Sequence, residues 1–143
     1  MMPETRKRRF GDRYDGWRLR HTQSFFSVMP HIMKRRSDSS VLFDDVVEIE
    51  ELEKYVRRLR RNENMPGFSM FHLFIAASVR MITLRPWLNR FVVGGKTYAR
   101  NRLTISMTVK RSLSKDAEEV VIKPDFEGTD TVFDVYRKIN GAI

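Results

Sequence analysis

An α/β fold is predicted by three observations on this sequence. Residues 69–84 read as one helix that is apolar on most sides, and residues 103–109 alternate apolar with hydroxyl side chains at a period of two. Between them, Gly94 and Gly95 separate two short runs, 91–93 and 96–99, in the manner of a tight hairpin. With 143 residues and 41% apolar content, the chain is long enough for one core and fits a single domain.

The elements follow in order. Residues 1–15 form a polar stretch, and order is expected to begin near Trp17, Phe25 and Phe26; residues 1–20 are read as a basic, partly disordered arm. Residues 41–49 read as a strand, with Leu42, Phe43, Val46 and Val47 as its apolar content. Glu48, Glu50, Glu51 and Glu53 then precede Lys54, Arg57, Arg58, Arg60 and Arg61, an order of charge that complements a helix dipole. Glu50 with Lys54 and Glu53 with Arg57 are i, i+4 pairs worth about 0.2–0.5 kcal/mol each, and Leu52, Tyr55, Val56 and Leu59 form the apolar side. A loop containing Pro66 leads to the apolar helix, whose narrow polar stripe is Ser69, His72, Arg80 and Thr83. A helix so apolar is expected to be covered on most sides, and Pro86 ends it near Leu84. After the hairpin and the alternating strand, a charged turn around Lys115 and Asp116 leads to a further strand at 120–122 with Phe126. Thr131 and Asp134 make a variant capping box for a last helix whose face is Val132, Phe133, Val135, Tyr136 and Ile139. Either the chain's own sheet or another chain is expected to cover that face.

The run FSMFHLFIAASVRMITLRPWLNR at 68–90, continued by FVVGGKTYARNRLTISMTVKR and preceded by MPHIMKRRSDSSVLFDDVVEIEELEKYV, resembles the amino-terminal half of a known superfamily. These are the acyltransferases related to chloramphenicol acetyltransferase and to the catalytic domain of the 2-oxoacid dehydrogenase acyltransferases. The resemblance runs from about Met29 to the end of the sequence and rests on hydrophobic pattern and turns. It implies an α+β two-layer sandwich with a mixed sheet and packed helices, of which residues 21–143 are the first half of a truncated domain. It further implies acyl transfer from coenzyme A or a lipoyl thioester to a hydroxyl or thiol. Acyl-coenzyme A is then a co-substrate, with no tightly bound cofactor, and assembly is as a homo-oligomer, a trimer in the family. In that family the strand at 103–109 borders the acceptor channel, which makes Ser106 and Thr108 the candidate channel contacts; an ordinary solvent-facing hydroxyl ladder explains the same pattern.

The family's general base is the histidine of an H-x-x-x-D motif, and no residue here matches it. His21, His31 and His72 are followed four positions later by Phe25, Arg35 and Ala76. His72 and His31 are read as structural, and His21 has no carboxylate near it in sequence unless the fold brings Asp12 or Asp15 close, so no catalytic residue is assigned and catalysis by the chain alone is not expected. A second polypeptide carrying the motif is the expected way to complete the site, and a non-catalytic interaction module is the alternative. Neither an i, i+4 histidine pair nor a Glu-x-x-His is present, so no metal site is expected.

Charge supplies a third class of reading. Residues 1–36 hold ten Lys or Arg against three acids, a net of +7, while the remaining residues hold seventeen against fifteen. Arg6, Lys7, Arg8 and Arg9 are candidate contacts for nucleic acid or an anionic membrane, but a solvated, partly disordered leader is the preferred reading because no RNP, KH or helix-turn-helix pattern accompanies the run. Lys34, Arg35 and Arg36 form a second cluster suited to an anionic substrate or coenzyme phosphates, or merely to flanking a strand. The absence of cysteine excludes disulfides and thiolate-bound zinc. The amino terminus lacks an apolar signal region, and Arg80 and Arg85 interrupt the best candidate for a membrane span, so the expected location is the cytoplasm.

Overall fold

The computed structural model describes residues 7–63, 65–110 and 118–143. It is a mixed α/β structure in two compact units, Met1–Val47 with Arg85–Asn101, and Glu48–Leu84 with Arg102–Ile143.

The first unit contains β1 (Gly16–Arg18), α1 (Ser24–Ile32), β2 (Arg90–Val93) and β3 (Lys96–Arg100), with single 3-10 turns at Arg36–Ser39 and Pro86–Leu88. Its antiparallel sheet has the order β1-β3-β2, in the register Trp17 to Ala99 and Phe91 to Tyr98. The predicted hairpin is present. Gly94 and Gly95 join Val93 to Lys96 at φ of 56° and 68°, the left-handed angles that a two-residue turn demands. Gly16 is needed for a different reason, since a Cβ there would stand 2.7 Å from both the Ala99 carbonyl oxygen and the Phe91 ring. β1 therefore lies within the first twenty residues, where an arm was expected. The strand expected at 41–49 does not form. Val41, Leu42, Phe43 and Val46 are between 85% and 98% exposed and no described strand pairs with them. Their β preference reflects packing on a pleated surface, and without a partner it has no expression.

The second unit contains α2 (Glu50–Asn62), α3 (Met70–Leu84), β4 (Leu103–Thr104), β5 (Met107–Lys110), β6 (Glu119–Ile122), β7 (Asp125–Phe126) and α4 (Val132–Asn140). β4 pairs with β7 and β5 with β6, both antiparallel. Every pairing among the described strands is thus antiparallel and the strands fall into three small sheets, where one mixed sheet was expected. The single strand expected at 103–109 is interrupted after Thr104, where the Ile105 N–H turns to the Pro124 carbonyl. The alternation survives the break, since Leu103 and Met107 are buried and Thr104, Ser106 and Thr108 are exposed. The expected turn at Lys115 and Asp116 lies outside the described residues.

Two clusters form the core of this unit. Val79, Leu103, Met107, Ile122, Phe126, Val135 and Ile139 make the larger, so the chain's own strands and α3 cover the last helix. Val56, Leu59, Met65 and Phe68 make the smaller, with Leu73, Val132 and Tyr136 packed against it. The expected ion pairs of α2 are present, Lys54 to Glu50 at 3.0 Å and Arg57 to Glu53 at 3.7 Å.

α3 corrects the expectation of general burial. His72 and Val79 are its buried residues, while Phe71, Phe74, Met81 and Leu84 are 45–66% exposed. His72, expected on a polar stripe, instead lies inside. The spacing 71, 74, 77/78, 81, 84 is one continuous helical face, so the exposed side of α3 is a mostly apolar stripe, with Ser78 within it and the exposed Arg80 beside it.

The amino-terminal cap of α4 is the predicted capping box. The Thr131 N–H donates to Asp134 Oδ2 at 2.9 Å, and the Asp134 N–H donates to Thr131 Oγ1 at 3.3 Å. The Thr131 hydroxyl and backbone N–H, with Arg137 adding less, hold the Asp134 carboxyl down at about 2, against an ordinary value of 3.8. The depressed value means that the folded state binds fewer protons than the unfolded chain in this range. The stabilisation is therefore full above about pH 4 and is lost as the pH falls towards 2. Thr131→Ala should lose about 0.5–2 kcal/mol in urea melts at neutral pH, and the difference from the parent should shrink in melts repeated at pH approaching 2.

Candidate functional site

Side chains from distant parts of the sequence line a trough in the first unit. β2 and β3 supply one wall, and α1 with the segment that follows it supplies the other, enclosing about 1500 Å³. Its cations are Lys34, Arg35, Arg36, Arg90 and Arg100, with His21, and no Asp or Glu lines it. Among the described residues none of these five cations forms an ion pair. Aromatic side chains share the lining with them. Arg100 lies over the Phe91 ring at 4.6 Å, and Phe91 in turn stacks on Tyr98 at 5.4 Å, which fixes that guanidinium without a carboxylate. Arg85 lies over Trp87 at 5.3 Å, and Trp87 and Phe26 are each about half exposed, at 51% and 55%. Nearby, Arg13 bonds Asp15 at 2.8 Å; that bond first, and Arg100 more remotely, hold the Asp15 carboxyl below its ordinary range.

A second, smaller groove of about 490 Å³ shares the Gly94–Gly95 rim and adds Arg18, Arg20 and Lys96. The first unit holds fourteen Lys or Arg against six acids, a net of +8 out of the chain's +9. Lys34, Arg35 and Arg36 were singled out by sequence; Arg90, Arg100, Trp87 and Phe26 were not. One signal for them was legible, because no Asp or Glu occurs between Glu63 and Asp116.

The other sequence candidates lie as follows. Lys7, Arg8 and Arg9 are exposed, with Arg8 Nη2 donating to the Tyr14 carbonyl at 3.1 Å and the Arg9 N–H donating to Asp12 at 2.8 Å; Arg6 lies outside the described residues. Thr108 is on β5 opposite Val121, and Ser106 is in the link between β4 and β5, both exposed.

Of the histidines, His21 and His31 are exposed, the latter against Gly95. His72 is 7% exposed. Its Nδ1 accepts the Ser69 N–H at 3.1 Å, and its ring stacks on Phe68 at 5.4 Å and meets Tyr136 at 5.2 Å. Nε2 has no partner in hydrogen-bond geometry. Burial pushes the imidazole pKa down, against a smaller opposing influence from the Asn140 side chain. No histidine is hydrogen-bonded to a carboxylate among the described residues. No helix there is long and apolar enough to cross a membrane. No family model, no curated protein and no solved structure matches the chain.

Proposed function

We propose that this chain is part of a chloramphenicol acetyltransferase-like acyl-transfer domain and receives its general base from a further polypeptide segment carrying H-x-x-x-D. The observation that carries the reading is the exposed apolar stripe of α3, from Phe71 through Phe74 and Met81 to Leu84. A face of that composition matches a helix interior in need of cover. The sequence pattern that resembles the acyltransferases supplies the chemistry. An acceptor hydroxyl or thiol attacks the acyl carbon of a coenzyme A or lipoyl thioester, the added histidine takes the acceptor proton, and the thiolate leaves. Holding both reactants in one channel makes the attack effectively unimolecular, and Ser106 and Thr108 are the proposed channel contacts. A homotrimer alone is insufficient, because every copy lacks the same motif.

The test is release of free thiol from acetyl-coenzyme A in the presence of hydroxyl acceptors. The chain alone should be silent, and addition of a separately expressed second half from a related acyltransferase should bring acceptor-dependent turnover. Turnover by the chain alone would overturn the missing-base argument. Silence of the mixture would overturn acyl transfer and leave the α3 stripe to a non-catalytic interaction module.

A further inference from the structure

We infer that the trough of the first unit binds single-stranded nucleic acid. Three observations converge on that ligand and stand independently of the acyl-transfer reading. The first is a lining of one sign of charge. Lys34, Arg35, Arg36, Arg90 and Arg100 line one concavity that contains no carboxylate, and a concavity lined by one sign of charge focuses the field on an anionic partner. Arg100 keeps its geometry by lying over Phe91, so its donors remain available to a phosphate.

The second observation is the aromatic content. Phe26 and Trp87 are half-exposed rings that line the same trough as the cations, and Phe26 is fixed edge-on to Phe25 at 5.6 Å. A ring beside guanidinium groups offers a base its stacking face while the cations take the adjoining phosphates, and this pairing recognises single strands, whose bases are free to leave the helix stack. A duplex presents phosphates without free base faces, and an acidic protein surface has no use for the rings.

The third is extent. At about 1500 Å³ the trough exceeds the range of about 300–1,000 Å³ that encloses a small molecule. It continues past the Gly94–Gly95 turn into the groove bearing Arg18, Arg20 and Lys96. A track of cations running around a hairpin suits a strand of several nucleotides.

The experiment is fluorescence anisotropy of a labelled oligothymidylate and a labelled oligouridylate with the full chain, between about 50 and 200 mM salt. Binding is expected for both, with a log–log salt slope of about −0.7 for each phosphate contacted. A Lys34→Gln, Arg35→Gln, Arg36→Gln triple variant should flatten the slope by about 2. Trp87→Ala and Phe26→Ala should each weaken binding by about five-fold or more while leaving the slope unchanged. Both aromatic positions are surface sites, and unchanged far-ultraviolet circular dichroism will establish that the variants fold. Absence of binding at low salt overturns the inference. So does unaltered binding by both aromatic variants with equal competition from polyglutamate, which would mark charge alone. Displacement of the oligomer by ATP at equal nucleotide concentration would mark a mononucleotide pocket and overturn the strand.

Discussion

Phe68→Ala should lower the stability of the second unit by about 3–5 kcal/mol, the range for removing a large buried aromatic side chain. Phe68 has no exposed surface and sits in the smaller cluster with Val56, Leu59 and Met65. Its ring stacks on His72 with an interplanar angle of 25° and leans on Tyr136 at 5.9 Å, so it joins the start of α3 to α4. Its backbone also closes a turn, with the Phe68 N–H donating to the Met65 carbonyl at 3.0 Å and Arg60 donating to the Phe68 carbonyl. The backbone contacts would remain after the substitution, and a cavity would take the place of the ring. Because a domain of ordinary size has only about 5–15 kcal/mol in total, the loss should be plain in a urea melt.

The division of the chain makes that measurement specific. Trp17 and Trp87 both belong to the first unit, whereas among the described residues three of the four α-helices, including the two longest, belong to the second. Circular dichroism should therefore report the shifted transition, and tryptophan fluorescence should report one that stays in place. A shift of both signals together would show that the units unfold as one. An unshifted dichroism midpoint would show that the ring contributes little to the cluster.

Local chemistry decided which parts of the fold were legible in sequence. α2 was legible from its ordered acids and bases, α4 from Thr131 and Asp134, and the hairpin from two glycines at angles that other residues avoid. Each of those signals is complete within a few residues. The segment 41–49 failed because strand preference is a preference for neighbours, and no described strand is its neighbour. α1 was illegible for the opposite reason. It starts after Gln23 with no side-chain cap, carries Pro30 inside, and buries no residue, so apart from His31 in its last turn the usual helix signs are missing.

The burial of α3 shows a limit of composition. A helix with apolar residues on most sides has several possible inward faces, and the sequence does not say which neighbour arrives. Val79 and His72 are taken inward, with Ile75, Ala76 and Ile82 packed beside the larger cluster, and that leaves Phe71 and Phe74 outside. The trough has the same origin. Residues near 21–36 meet residues near 87–100 across a sheet, and spacing along the chain carries no record of that meeting.

The two sides of α3 give the second large effect, because one substitution tried on each side separates folding from docking. Val79→Asp would place a carboxylate at a position 2% exposed, among Leu103, Met107, Ile122, Phe126, Val135 and Ile139. None of these offers a partner, so the loss should reach about 4–5 kcal/mol or more. The introduced carboxyl would have a raised pKa in the folded state, where the neutral form is favoured. The folded variant then binds more protons than its unfolded chain, so its deficit relative to the parent should narrow as the pH falls from 7 towards 4. Phe74→Asp, on the exposed stripe, should change stability by no more than about 0.5 kcal/mol, since Phe74 is 66% exposed. Yet it puts a charge in the middle of the apolar face, and restoration of acyl transfer by an added second half should disappear with the melting transition unchanged. If Phe74→Asp unfolds the second unit, the stripe is covered within the chain. If it folds and still supports restored turnover, the added segment binds elsewhere, and the apolar face of α3 loses its place in the proposed assembly.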